Sequence, residues 1–519
     1  MPAKEITVKS FVQRKICSVC NITERKLRFF RDGAVLTATG LFMRAVGVAY
    51  SAFLSSRLGA DGLGLWTLIT SVCSFALTLA SSGLGLAATR LSASAGTPER
   101  VRRALRGCFA AALVSGGISA AVLFFGAGFI SERVLGDMRC ALPLRLAGLG
   151  MPFAAMSGVL HGYFSAVRRS PVSAGVQIFE QLSGIGATVL LLGASGRDIG
   201  SACASLVAGS VNSGAASFLA ALVVYLALRR RDIASLCAQG DRKSAGNPKS
   251  PAREILSIVL PVSAAACLRS ALSSVEHILI PRGLKKNPLT AATALASYGV
   301  LCGMALPVVM LPAAFLYSFT GLLVPEYALA EARKDERGIS RISSRAISLA
   351  VFYSVGAAGF LWLFAGELGS FLYNSTDAGI FIRVLAPLVP VMYLDHTVDA
   401  MLKGLGEQLF CMKVNILDAG MSVVMVAVLC GRIGIWGFVV TIWATEVVNA
   451  SLSVWKLVRR ASPRVSLSIA PRLILSLSAG VAVVSFMGGE GIVSFILRAM
   501  VYVVTFALVS LITLPRKTR

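Results

Sequence analysis

The chain contains no G-x-x-x-x-G-K-[ST] loop, no H-E-x-x-H, no G-x-S-x-G and only one C-x-x-C. The first absence argues against ATP hydrolysis by this chain, because nothing is arranged to cradle a nucleotide's phosphates. The next two remove the usual zinc-peptidase and serine-hydrolase signatures. The lone Cys17 and Cys20 pair has no second ligand pair nearby, so no metal site is expected. Acidic residues are scarce, 25 against 50 Lys and Arg, and histidines number three. No connection between apolar segments exceeds about 25 residues, which leaves no room for a catalytic domain. The stretch before Arg31 lacks an apolar h-region and a cleavage site, so it is not read as a signal peptide. No cofactor is implied, and the chain is not expected to be an enzyme.

Apolar sequence fills the space that these absences leave. Hydrophobic residues make up 56%, charged residues 14%, and mean hydropathy is +0.76. Runs of about 20 apolar residues recur along the whole length, each enough to cross a hydrocarbon core of roughly 30 Å. The expected fold is an all-α polytopic membrane protein with about fourteen spans. They fall near 33–55, 63–90, 104–130, 141–166, 171–194, 201–228, 254–280, 297–322, 339–364, 380–402, 409–431, 434–458, 469–488 and 492–514. Most of the eleven cysteines lie inside these runs, where they act as small hydrophobes.

The net charge of +25 lies between spans and not on one face, which argues against nucleic acid as a partner. Basic clusters precede span 1 and follow span 2 (Arg100, Arg102, Arg103, Arg106), span 6 (Arg229, Arg230, Arg231), span 8 (Arg333, Lys334, Arg337) and span 12 (Arg459, Arg460). The alternate loops are poorer in basic residues. Both termini are therefore expected in the cytoplasm, with the protein in the inner membrane.

Spans 5 and 11 begin alike, Val176-Gln177-Ile178-Phe179-Glu180 against Val414-Asn415-Ile416-Leu417-Asp418. Arg44 answers Arg269, Leu160-His161-Gly162 answers Leu402-Lys403-Gly404, and Arg229-Arg230 answers Arg459-Arg460. The offsets are all about 225–242 residues, as a parallel six-span repeat requires. The expected organisation is a basic tail (1–32), an N-terminal lobe (33–228), a cytoplasmic linker (229–253), a C-terminal lobe (254–460), and spans 13 and 14 with a basic tail (461–519).

Ionisable residues at bilayer depth cost roughly 2.5–3.5 kcal/mol each, so they are expected to face an interior cavity. Arg44 and Arg269, in corresponding places, could grip an anionic group bidentately, or pair with Glu180 or Glu276. Gln177, Glu180 and Gln181 form a polar face that could line a substrate cavity or tie helices together. Asp395 and Asp399, four apart with His396 beside them, suit a proton or cation relay, or a solvated helix mouth. Glu276 and His277 are expected to be hydrated at the outer end of span 7, and His161 to be packed. Span 8 carries Pro307 and Pro312, each removing a helical hydrogen bond. A bent helix is expected there, its freed carbonyls met by neighbours or water. The LVPEYALAEA stretch at its foot, with Glu326, is a candidate inner gate.

The stretches RAVGVAYSAFLSSRLGADGLGLWTL (Arg44 to Leu68), GLGLAATRLSAS (Gly83 to Ser94), VQIFEQL (Val176 to Leu182), YGVLCGMALPVVMLPAAFLYSFTGLLVPEYALAEA (Tyr298 to Ala332) and LKGLGEQ (Leu402 to Gln408) span both halves. With fourteen spans, this pattern resembles the multidrug/oligosaccharidyl-lipid/polysaccharide exporter superfamily. Within it, the chain is similar to polysaccharide biosynthesis proteins of the stage V sporulation protein B type. The resemblance implies a flippase for an undecaprenyl-linked saccharide in wall or spore-cortex synthesis, working by alternating access. Its partners would be membrane lipids and the wall synthases it supplies. The first-span R-x-x-G of related lipid II flippases fits Arg44 and Gly47, and their groove at spans 13 and 14 would take the polyprenyl tail. A cation-coupled drug exporter of the same superfamily, and a membrane enzyme or scaffold of wall synthesis, are the alternatives.

Overall fold

The computed structural model describes residues 5–94, 97–167, 169–194, 198–239, 251–286, 293–463, 469–489 and 491–513, with most side chains described from residue 40. The side chains of Cys17 and Cys20, linker residues 240–250 and the C-terminal Arg516, Lys517 and Arg519 lie outside this description. The helices are α1 (Glu5–Ser81), α2 (Leu84–Ser94), α3 (Pro98–Phe129), α4 (Ala141–Ala166), α5 (Ser170–Ala194), α6 (Ile199–Gln239), α7 (Pro251–Lys286), α8 (Ala294–Gly299), α9 (Leu306–Met310), α10 (Ala313–Ala332), α11 (Glu336–Leu363), α12 (Ala365–Tyr373), α13 (Thr376–Leu385), α14 (Val389–Gly404), α15 (Gln408–Ile433), α16 (Ile435–Ala461), α17 (Ile469–Ser485) and α18 (Ile492–Thr513). No strand occurs among the described residues.

Among the described residues, eleven helical runs are long and apolar enough to cross a membrane. The first, Phe42–Ala93, holds 52 residues and would measure about 78 Å if straight, more than two hydrocarbon cores. It divides at Gly59, whose φ of 67° and ψ of −175° interrupt the helix. With that division and the shorter apolar runs Ala294–Met310 and Ala470–Ser485, the described residues hold fourteen such segments. The expected loop between spans 1 and 2 is thus a single glycine. A positive φ is cheap for glycine and strained for residues bearing a Cβ.

Two helical groups result. In the first, α3 and α6 pack on α4, α5 packs on α6, and α2 lies on α3 and α4. In the second, α15 packs on α7 and α16, and α14 on α10, α11 and α16. The two meet where α1 lies against α7, α8 and α10. Helices in lipid gain no hydrophobic drive from meeting one another, so small residues and hydroxyls hold such seams. Ser274 donates to the Ser71 carbonyl (2.9 Å), Thr78 to the Ser270 hydroxyl (3.2 Å) and Ser263 to the Ser82 carbonyl (2.7 Å). Near the Gly59 break the backbones nearly touch. A Cβ on Gly64 would fall 2.2 Å from the Leu295 carbonyl oxygen, and one on Gly299 2.1 Å from that of Ala60. The last pair, α17 and α18, leans on α11.

Candidate functional site

Span 8 is not one helix. It runs as α8, a π-helical turn at Val300–Ala305, then α9 and α10, with a turn at Leu311 and Pro312. The two prolines explain both breaks. Pro307 has no N–H to offer the Gly303 carbonyl four residues earlier, and Pro312 has none for Val308. A carbonyl left bare in lipid costs several kcal/mol. Each finds another donor. Ser51 of α1 donates to the Gly303 carbonyl at 2.7 Å, and the Leu311 N–H closes a tighter turn onto Val308 at 3.1 Å. Tyr393 of α14 reaches the Val309 carbonyl (2.7 Å) and Tyr353 of α11 that of Pro312 (2.6 Å). The broken segment is therefore capped by three other helices.

Arg44 supplies a further contact. Its guanidinium meets the Met310 carbonyl at 3.5 Å, the outer limit of a hydrogen bond. No ion pair of Arg44 with an acid occurs among the described contacts. Both candidate acids are engaged elsewhere: Glu180 accepts from Ser217 (2.8 Å) and Glu276 from Ser422 (2.5 Å). A guanidinium has five donors, so Arg44 retains most of them for an anion. The Tyr393 hydroxyl, by contrast, is committed to structure. Tyr393→Phe should leave the buried Val309 carbonyl without its donor, at about 1–3 kcal/mol. Thermal unfolding of the purified protein would show the loss as a lower melting temperature.

The polar face of α5 does line a space. A cavity of about 690 Å³ inside the first helical group is bounded by Gln177, Glu180, Gln181, His161, Ser157 and Ser213, among others. Gln181 also donates to the Met43 carbonyl at 3.3 Å, so this wall is tied to the turn carrying Arg44. His161 is packed as expected, its Nδ1 2.7 Å from the Ser173 hydroxyl. Gln177 is exposed at the cavity's edge and Glu180 is half-buried.

The acids of the second group are dispersed. Asp395 accepts from Asn449 of α16 at 3.1 Å, and its Oδ1 is buried without a partner. Asp399 pairs with Lys403 at 2.5 Å, one turn on. His396 stands edge-on to Tyr317 (centroids 4.0 Å apart), with Nε2 3.5 Å from Thr320. The three residues thus face three different partners. Arg269 is exposed on α7, within electrostatic reach of Asp418 of α15. No contact joins it to Arg44 among the described residues. Glu276 and His277 differ from expectation: both are half-buried, and His277 bonds the Tyr298 hydroxyl at 2.8 Å. Pro307 and Pro312 sit at the breaks described above. Glu326 is exposed, whereas Glu331 at the same foot forms an ion pair with Arg460 of α16. Glu446 of α16, half-buried within reach of Asp395 and Asp418, was missed by the sequence reading. Its position inside an apolar run was the available signal.

These features define a multi-pass α-helical membrane protein of two helical lobes with a broken helix at their seam. The chain belongs to the polysaccharide biosynthesis protein family, whose sequence pattern matches residues 29–328. Stage V sporulation protein B of Bacillus subtilis (strain 168) is 26% identical over 421 residues, 79% of this chain and 80% of that one. Sporulation protein YkvU of the same organism is 19% identical over 379 residues, 73% and 83% of the two chains. In fold, the chain resembles the lipid II flippase MurJ in an inward closed conformation. The TM-score is 0.70 at 10% identity, covering 92% of this chain and 98% of that one. An inward-facing multidrug resistance MATE family transporter of the MOP superfamily gives 0.53 at 16% identity, covering 83% and 98%. The polysaccharide biosynthesis family and the fold class read from the sequence stand.

Proposed function

We propose that this protein flips an undecaprenyl-linked saccharide, such as a peptidoglycan precursor, from the inner to the outer leaflet of the cytoplasmic membrane by alternating access. The observation that carries this is Arg44: a cation at bilayer depth, on the seam between lobes, tethered by one long hydrogen bond to a broken helix. A pyrophosphate is the group such a guanidinium would hold. The relatives support the reading: the chain shares its fold with a lipid II flippase and is similar in sequence to two sporulation proteins.

In this mechanism both termini are cytoplasmic. Residues 33–228 and 254–460 form the rocking lobes, 229–253 link them, and 461–519 flank the second lobe. Arg44 and Arg269 meet the pyrophosphate, and Gln177 and Glu180 face the saccharide. The breaks at Pro307 and Pro312 let span 8 bend, and the foot of α10, with Glu326 and the Glu331–Arg460 pair, gates the inner side. Asp395, with one oxygen buried and unpartnered, is where a coupling proton or cation would enter. Asp399 is already neutralised by Lys403, and His396 lies against Tyr317, so neither passes charge on.

Leaflet accessibility of lipid II in cells depleted of the protein tests the cargo. Lipid II should become less accessible from outside while its total amount rises. Unchanged accessibility would remove lipid II as the substrate.

A further inference from the structure

A second charged site lies far from the seam, at the end of α11 opposite the basic loop of Arg333–Arg341. There a pocket of about 470 Å³ opens between α11, α12, α13, α17 and α18. Its polar lining includes Glu367, Arg383 and Arg498, and its floor is Phe364 and Val484, both buried with Tyr502 in an apolar cluster. Arg498 pairs with Glu367 at 2.5 Å, and its Nε is buried without a partner. Arg383 is exposed and has no acidic partner among the described contacts. The described lining therefore holds two guanidiniums against one carboxylate.

A single structural ion pair would need one arginine. The second leaves an unbalanced positive charge at the membrane's edge, where desolvation makes it costly unless an anion or water meets it. Depth points to the anion's source. Arg498 lies six residues into α18, about 9 Å along its axis, shallow enough for a long arginine side chain to reach outward to the headgroups. Along α18, Leu497 is 52% exposed, Met500 57% and Val504 55%, a surface suited to acyl chains. Arginine's fork matches a phosphate's oxygens in two places at once.

We propose that this pocket binds a phosphate-bearing ligand, the headgroup of an anionic membrane lipid, with its chains lying along Leu497, Met500 and Val504 of α18. Arg383 and Arg498 hold the phosphate, and Glu367 orients Arg498 while limiting affinity by its own charge. The site is separate from the transport seam and does not rest on the cargo assigned above.

Lipid retention by the full-length detergent-purified protein, read by native mass spectrometry, tests it with phosphatidylglycerol against phosphatidylcholine. The wild type should keep phosphatidylglycerol about ten-fold better, the worth of one charge-assisted hydrogen bond. Arg383→Gln should bring the two lipids near parity, and Glu367→Gln should sharpen the preference. Opposite signs are the diagnostic, because a purely structural role would make both changes weaken retention or neither. Parallel effects, or an Arg383→Gln protein with unaltered preference, would overturn the proposal. Millimolar inorganic phosphate separates the sources. Lipid that stays bound assigns the site to the lipid, whereas displacement shows the bare phosphate to be sufficient and overturns the part given to the chains.

Discussion

Gly299→Val should part the α1–α8 seam and abolish export. Even the first atom of the new side chain would stand 2.1 Å from the Ala60 carbonyl oxygen and 2.6 Å from the Gly64 nitrogen. Both are backbone, so no rotamer change relieves the clash. Restoring an ordinary C···O approach of about 3.3 Å requires the two helices to separate by on the order of 1 Å. The packed seam would be lost with it, since close contact between small residues is what holds helices together in lipid. Ser55, Ser297 and Met304 line a cavity of about 510 Å³ beside this contact. A cysteine placed at Ser297 should therefore react several-fold faster with an impermeant thiol reagent in the Gly299→Val protein, on the face that the proposed topology makes external. Gly117→Ala, where a Cβ meets nothing within 4 Å, serves as the control. Unchanged labelling with normal export would show that the seam does not gate transport.

Arg44→Ala should abolish complementation while leaving membrane levels of the protein normal. The two halves of that expectation have different causes. Folding survives because the only described hydrogen bond lost, to the Met310 carbonyl, is at 3.5 Å and contributes little. Transport fails because hydrogen bonds to a charged group are each worth about 1.5–3 kcal/mol, or roughly ten- to a hundred-fold in substrate engagement. Arg44→Lys should recover only part of the activity, since an ammonium keeps the charge without the planar fork. Full activity in Arg44→Ala, at equal protein levels, would remove Arg44 from the transport path.

Hydropathy made most of the fold legible, because lipid demands continuous apolar helices and tolerates little else. The bounds expected for spans 13 and 14, 469–488 and 492–514, nearly coincide with α17 and α18. The bend in span 8 was also legible, since Pro307 and Pro312 act through their own covalent structure. Its caps were not. Ser51 lies 252 residues from Gly303, and Tyr393 84 residues from Val309, distances over which local pattern carries no information. The glycine seam was equally hidden, because Gly64 and Gly299 look like any other glycines until two backbones meet. The cavity wall of Gln177, Glu180 and Gln181 was readable as a polar stripe on one helix, but its tie to Met43 was not. Asp395, His396 and Asp399 are close in sequence, but the partners of their side chains, Asn449, Tyr317 and Lys403, could not be read from it. Asp395 and Asp399 share a face four residues apart while His396 points elsewhere, and each finds a partner of its own.

The Gly59 junction has a mechanical consequence. A loop of several residues absorbs motion, whereas one pivot between two stiff rods has no slack to take up. Any rolling of the rod bearing Arg44 and Ser51 must reach the rod bearing Ser71 and Thr78 as torque. Those residues grip span 8 on one side and α7 on the other. In the proposed rocking cycle the first two crossings would thus work as a crank, linking the contacts of Arg44 and Ser51 on span 8 to those of Ser71 and Thr78 on α7.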